Sequence, residues 1–204
     1  ERSMFGKVLI ANRGEIALRI IRTCREMGIE PEAIYSDADS NALHIVHASA
    51  SYRLPGHTPA ETYLNIPLIV DICKKNNIDA VHPGYGFLAE NADFAQALED
   101  AGVIFVGPFA KSIRDFGDKL IAKKMAKEAG VECVPGTPEP VHTLEEGLKA
   151  FNERKPPVII KAAAGGGGRG MRVVRTEDEF AKAFRASQSE SLTAFGSDKV
   201  FLEK

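Results

Sequence analysis

The stretch KAAAGGGGRGMRVV, residues 161–174, sets four consecutive glycines between Lys161 and Arg169. Such a run can be a flexible linker. Its flanks, VII before it and MRVV after it, are both strand-like and separated by little else, so the economical form is the tip of a β-hairpin. Glycines at such a tip expose backbone N–H groups with no Cβ in the way, which lets the chain approach a polyphosphate closely. Gly165, Gly167 and Gly170 satisfy G-x-G-x-x-G, but a dinucleotide fingerprint needs a helix immediately afterwards, and here a strand follows. The pattern G-x-x-x-x-G-K-[ST] is absent from the chain, and a protein-kinase glycine loop carries its lysine downstream, whereas Lys161 lies upstream. What remains is a glycine-rich hairpin lid over nucleotide phosphates, with a lysine on its leading strand. Lys161 ends the apolar run PPVIIK, where a lysine either snorkels to solvent or meets an anion; the adjacent glycines favour the anion. Arg169 is either a second cation or simply solvated.

A second candidate is HPGYGFLAEN, residues 82–91. It follows a strand-like run, and open α/β sheets place ligands at the carboxyl ends of their strands. The competing reading is a turn over which Tyr85 and Phe87 pack, with His82 structural and Glu90 and Asn91 as helix caps. His44 and His47 stand three apart with no evident third metal ligand, and a half-exposed helix face explains them. Arg19, Arg22 and Glu26 occupy the polar side of the first helix, where Arg22 and Glu26 have pairing spacing.

The elements that must position these residues alternate in the first half. KVLIAN reads as a buried strand and EIALRIIRTCREMG as a helix closing on Gly28. EAIYS, SYRL, DAVHPG and IFVG then read as strands; SNALHIVHA, IPLIVDICKKNN and NADFAQALEDAG read as helices. This alternation predicts a parallel sheet with helices on both faces over about residues 4–108. A boundary follows within 108–140. DKLIAKKMAKEAG (118–130) is a basic amphipathic helix, and the proline-rich VPGTPEPVHT (134–143) is an extended connector. Beyond it come a helix near 143–153, the hairpin, a helix near 176–190 and a final strand VFLEK, an α+β unit.

With 204 residues, 44% hydrophobic and 26% charged, the chain suits one large or two small globular domains. Its formal charge of −2 provides no global field to gather nucleic acid or anionic lipid, so an anion site must be built locally. Cys24, Cys73 and Cys133 lie far apart without CxxC spacing, which suits a reducing, cytoplasmic setting. No apolar run has membrane-spanning length. Residues 1–3 read as a vector-derived scar.

Taken together, KVLIANRGEIALRIIR, VHPGYGFLAEN, GDK (117–119), the glycine run and FLEK (201–204) resemble the ATP-grasp enzymes of the biotin carboxylase family over nearly the whole chain. The resemblance implies an α/β fold: a doubly wound, Rossmann-like N-terminal domain at 4–115, and an α+β ATP-grasp lid subdomain at 116–204 that is incomplete at its C-terminus. It implies a ligase that uses bicarbonate and ATP with Mg2+ or Mn2+, by way of carboxyphosphate, to carboxylate biotin on a carrier protein. Family roles carry over to Lys119 and Lys161 at ATP phosphate, Gly167 and Gly168 in the lid, and Glu203 and Lys204 at the adenine. Glu203 takes the exocyclic amino group, and Tyr85 falls near biotin and bicarbonate. The family's metal-binding acids, its general base and its biotin-steadying arginine lie after the position of Lys204. No catalytic or metal-binding residue is therefore expected here, and this piece alone is expected not to turn over.

The partners implied are a biotin carboxyl carrier protein or domain, a carboxyltransferase and a second copy of the chain, with the Arg19–Glu26 face as an interface; nucleic acid and membrane are not among them. The setting implied is cytoplasmic, or the mitochondrial matrix in a eukaryote. The alternatives are another ATP-grasp ligase, such as a carbamoyl phosphate synthetase or a purine-pathway carboxylase, and a non-catalytic dimerisation or docking module. No residue reads the final carboxyl acceptor, pyruvate or an acyl-CoA.

Overall fold

The computed structural model describes residues 5–163 and 171–204. The chain divides into two compact units, Glu1–Arg114 and Asp115–Lys204.

In the first unit, strands β1 (Lys7–Ile10), β2 (Glu30–Tyr35), β3 (Ala50–Arg53), β4 (Ala80–His82) and β5 (Ile104–Phe105) alternate with helices α1 (Gly14–Glu26), α2 (Leu43–His47), α3 (Ile66–Lys75) and α4 (Ala92–Asp100). All pairings are parallel, in the order β3-β2-β1-β4-β5. The apolar runs form central strands because both sheet faces are covered. Leu9, Ile34 and Val81 join Ile69, Cys73, Phe94 and Leu98 in one core, while Val8 and Ile10 join the α1 stripe Ala17, Ile20, Ile21 and Cys24 in the other. Strand order reverses between β1 and β4, so the carboxyl ends of these two neighbours flank the switch point where such sheets bind ligands.

The half-exposed helix face expected for both histidines is wrong for His44. Helix α2 packs this residue fully inside, its Nε2 3.4 Å from the Ile34 carbonyl, and burial pushes its pKa down.

The second unit holds α6 (Lys119–Glu128), α7 (Leu144–Arg154), β6 (Val158–Ala162), β7 (Arg172–Val174), α8 (Glu177–Phe195) and β8 (Val200–Glu203). The boundary between units falls inside α5 (Ala110–Gly117), a helix absent from the expected elements, whose Ala110 and Ile113 meet the first unit's core. Strands β6 and β7 pair antiparallel, as a hairpin requires; β8 lies on the other side of β6. The hairpin tip, with Gly165, Gly167, Gly168, Arg169 and Gly170, lies outside the described residues. The connector 134–143 runs along β8 through single bridges, Gly136 to Glu203 and Val141 to Val200. Thr137 and Val141 donate backbone N–H groups to the Leu202 and Val200 carbonyls at 2.8 Å, an edge role in which the flanking prolines lose no ladder bond.

Period two sorts the β6 and β8 side chains into two faces. Val158, Ile160, Val200 and Leu202 enter the core with Phe151, Phe180 and Phe184 from α7 and α8. Lys161 pairs with Phe201 and Ile159 with Glu203, so these four share the opposite face.

The α7–α8 contact is close at Gly147, where an added Cβ would sit 2.9 Å from two ring atoms of Phe180 and 3.3 Å from Phe184. Both rings are buried and cannot swing away. Gly147→Ala gains roughly 1 kcal/mol of helix propensity but meets overpacking of about 1–3 kcal/mol. The expected outcome is net destabilisation, measured as a lower urea midpoint by far-ultraviolet circular dichroism; a raised midpoint would refute the tight contact.

Candidate functional site

On the face of the second unit's sheet opposite its core, two lysines hold one carboxylate and a third stands close by. Asp118 caps α6, accepting from the backbone N–H groups of Leu120 at 2.9 Å and Ile121 at 3.0 Å. This cap fixes the start of the helix and with it Lys119, whose Nζ lies 3.4 Å from the Ala162 carbonyl at the end of β6. One turn later, Lys123 Nζ donates to Glu203 Oε1 at 2.7 Å and to the Val134 carbonyl at 2.8 Å, and sits 5.9 Å above the Phe201 ring. Lys161, from β6, pairs with the other carboxylate oxygen of Glu203.

Glu203 is only 8% exposed. Burial alone would raise its pKa; hydrogen bonds from Lys123 and Lys161 outweigh that and hold the carboxyl below its usual range. Burial first, and then the Lys161 cation, push the Lys119 ammonium below its ordinary value. Three ammonium groups opposed by Glu203 and the cap carboxylate of Asp118 leave a local excess of positive charge. Chemically, this is a receptor for a polyanion beside a buried hydrogen-bond acceptor.

Lys119, Lys161 and Glu203 are thus brought together. Lys204 is not: alternation turns its side chain the other way, onto the Lys155 and Pro156 carbonyls, while its backbone N–H bonds the Pro135 carbonyl at 2.9 Å. Gly167 and Gly168 lie outside the described residues. Lys123 escapes the sequence reading, although it stands at i+4 from Lys119 in a basic helix, the spacing that puts both on one face.

In the first unit, the β4–α4 loop is fastened to the end of β1. Asn12 Nδ2 donates to the Pro83 carbonyl at 2.8 Å and the Tyr85 carbonyl at 2.7 Å, and Asn12 Oδ1 accepts from the Arg13 N–H at 2.9 Å. Gly84 has φ +66°, and a Cβ there would come within 2.8 Å of Asn12 Nδ2. His82 Nδ1 accepts from the Gly84 N–H at 3.0 Å, and burial lowers its pKa, in keeping with its structural reading. Asn91 caps α4 by accepting from the Phe94 N–H at 2.9 Å.

Phe87 stacks on Tyr63 with centroids 5.1 Å apart, as the turn reading has it, but Tyr85 does not pack beneath the turn and is 61% exposed. The Tyr85 hydroxyl donates to Glu15, and this hydrogen bond raises its pKa. Asn12, Arg13, Glu15, Tyr85 and Phe87 line a cavity of about 370 Å3 beside the switch point.

Behind it, Arg13 Nε donates to Asp39 Oδ2 at 2.6 Å, as does the Tyr63 hydroxyl at 2.6 Å, while Ser36 Oγ lies at 3.3 Å. The Arg13 hydrogen bond is the chief cause that brings the Asp39 pKa down to about 2.

Residues 4–113 match the family model of the biotin carboxylase N-terminal domain, and residues 118–204 match that of the carbamoyl-phosphate synthase L chain ATP-binding domain. Over 201 residues the chain is 50% identical to biotin carboxylase 1 of Bacillus subtilis (strain 168), covering 98% of the chain and 45% of that protein. It is 50% identical over 199 residues to the mitochondrial pyruvate carboxylase of Homo sapiens, covering 97% of the chain and 17% of that protein. The chain therefore spans less than half the length of these relatives.

Among solved structures, the biotin carboxylase domain dimer of Hydrogenobacter thermophilus 2-oxoglutarate carboxylase, with MgADP, ADP and bicarbonate, superposes with TM-score 0.92 at 45% identity, over 100% of this chain and 45% of that one. A biotin carboxylase–βγ-ATP complex from Campylobacter jejuni gives TM-score 0.93 at 43% identity, over 98% of this chain and 45% of that one. With one family model spanning more than half of the residues and half of all aligned positions identical across nearly the whole sequence, the chain belongs to the biotin carboxylase family.

Proposed function

We propose that this chain is the nucleotide-facing N-terminal part of a biotin carboxylase, which uses MgATP and bicarbonate, through carboxyphosphate, to carboxylate biotin on a carrier protein. The observation that carries this reading is the pairing of Lys123 and Lys161 with the buried carboxylate of Glu203, with Lys119 beside them at the Ala162 carbonyl. Lys119 and Lys161 supply positive charge on the sheet face beside Glu203, and transfer of the terminal phosphoryl group of a triphosphate needs its negative charge opposed. Glu203 accepts from the exocyclic amino group of adenine, because two lysines leave lone pairs free on its oxygens. The metal that accompanies the nucleotide would supply further positive charge against its phosphates; among the described residues no group of three or more His, Cys, Asp and Glu is arranged to hold one.

Tyr85, outward-facing beside the first unit's cavity, is assigned to the neighbourhood of biotin and bicarbonate. A carrier protein or domain and a carboxyltransferase would be the partners, with a second copy of the chain across the Arg19–Glu26 face, in the cytoplasm or a mitochondrial matrix. The match of residues 118–204 to a carbamoyl-phosphate synthase domain favours a second reading, an ATP-grasp ligase that makes carbamoyl phosphate.

The test assays the full-length parent and the isolated chain side by side. The parent is expected to cleave ATP only with bicarbonate and to carboxylate biotin, and the isolated chain to do neither. Ammonia-dependent formation of carbamoyl phosphate by the parent, or turnover by the chain alone, would overturn the reading.

A further inference from the structure

We propose that Lys123 is a positioning residue of the nucleotide site: it keeps Glu203 an ionised hydrogen-bond acceptor when Lys161 turns from that carboxylate to phosphate. The inference rests on the nucleotide reading above and adds a residue and a specificity role to it.

Glu203 shares its charge between two lysines, Lys123 on Oε1 and Lys161 on Oε2. The two differ in what else holds them. Lys161 stands on β6, next to the strand end that leads into the glycine run, and a triphosphate draws it away. Lys123 is anchored: its Nζ also donates to the Val134 carbonyl at 2.8 Å and lies over the Phe201 ring. Its side chain is 25% exposed against 10% for that of Glu203, so the pair is screened from bulk water.

A buried carboxylate that loses its cation either keeps a costly unpaired charge or takes up a proton. Lys123 prevents both. With it, Lys161 can move to phosphate while Glu203 stays an acceptor for an amino group. Without it, nucleotide binding must retain Lys161 on Glu203 or protonate Glu203, and a protonated carboxyl offers a donor as well as an acceptor. A 6-oxopurine then gains what a 6-aminopurine loses. Among the described residues, the charged groups around Glu203 are Lys123 on α6, Lys161 on β6 and, more distantly, Lys119 at the start of α6, which alone does not replace the pair.

The experiment uses the full-length parent with Lys123→Gln, which keeps hydrogen-bonding capacity but removes charge, and with Lys123→Arg. For Lys123→Gln the KM for MgATP is expected to rise about tenfold with kcat nearly unchanged, as loss of a ground-state contact requires. The preference for ATP over ITP should fall several-fold, and the KM defect should widen as pH rises, because binding now takes up a proton. Lys123→Arg should restore all three. Glu203→Gln removes the charge to be compensated, so adding Lys123→Gln to it should leave the ATP KM where Glu203→Gln alone puts it. That double variant carries no unpaired buried carboxylate and serves where the single one fails to fold.

A wild-type KM and purine preference in Lys123→Gln, or full additivity in the double variant, overturns the role of Lys123. Lys161→Met separates the two levels: a raised ATP KM there with wild-type behaviour in Lys123→Gln sinks only this inference, whereas an unchanged ATP KM in Lys161→Met sinks the nucleotide reading itself.

Discussion

Replacing Lys161 with Met in the full-length parent is expected to lower kcat/KM for MgATP by roughly 100-fold, the scale found when one preorganised donor to a developing charge is removed. The ammonium stands at the end of β6, and the strand register sets it on the sheet face that the core does not use. Methionine preserves the length of the side chain and its packing along the strand, so the loss falls on charge. Folding should suffer less than catalysis, because Glu203 retains Lys123 at 2.7 Å and is not left as an isolated buried charge. Steady-state kinetics beside a thermal melt measure the two effects separately. A variant that melts early yet keeps its kcat/KM for ATP would make Lys161 a structural cation and remove it from the site.

That face of the sheet was partly legible in the sequence. Lys161 stands out because a lysine closing an apolar run next to glycines has few bland explanations. Glu203 and Lys119 could be placed only through the family resemblance, since neither residue type nor spacing marks them. Lys123 was hidden for a physical reason: its partner lies 80 residues away, and only the fold brings its ammonium to Glu203 and turns one basic residue among several into a screened ion pair. The helix α5 is short, and only Ala110 and Ile113 along it meet the core, although Phe109, Ile113 and Phe116 stand at helical spacing.

In the first unit the alternating runs revealed the parallel sheet, because burial on both faces writes continuous apolar strands. The same local logic misjudged His44, half-exposed by expectation and buried in fact, and left Tyr85 open between packing under its turn and facing a ligand; its side chain faces outward. Both positions depend on neighbours distant in sequence: Asn12 ties down the loop backbone that carries Tyr85, and β2 receives the α2 face that carries His44.

The network behind the first unit's cavity carries the other large expected effect. Asp39, 7% exposed, receives Arg13, the hydroxyl of Tyr63 and that of Ser36, and its pKa stands at about 2. A carboxyl depressed from about 3.9 in the unfolded chain contributes stability that is complete above both values and lost as pH falls through them. At about 1.4 kcal/mol per unit, the contribution is roughly 2 kcal/mol at neutral pH and vanishes between about pH 4 and pH 2. Asp39→Asn keeps an acceptor for Tyr63 and Ser36 and removes the charge, so it should lose that amount at pH 7 and flatten this part of the acid limb.

Asp39→Ala loses more, because it also strands the hydroxyl of Tyr63, a residue only 4% exposed, which adds about 1–3 kcal/mol. Its total should reach roughly 3–5 kcal/mol, the scale of a broken buried pair. Tyr35, Tyr52, Tyr63 and Tyr85 are the chain's four tyrosines, all in the first unit, and there is no tryptophan, so intrinsic fluorescence reports this unit alone. Urea titrations followed by that signal at pH 7 and near pH 3 give the two slopes of the argument. Equal losses for Asn and Ala at pH 7 would mean that stranding the Tyr63 hydroxyl costs nothing, and an Asn variant whose stability falls with acid as steeply as the wild type would mean that the charge on Asp39 does not hold the end of β2 against β1.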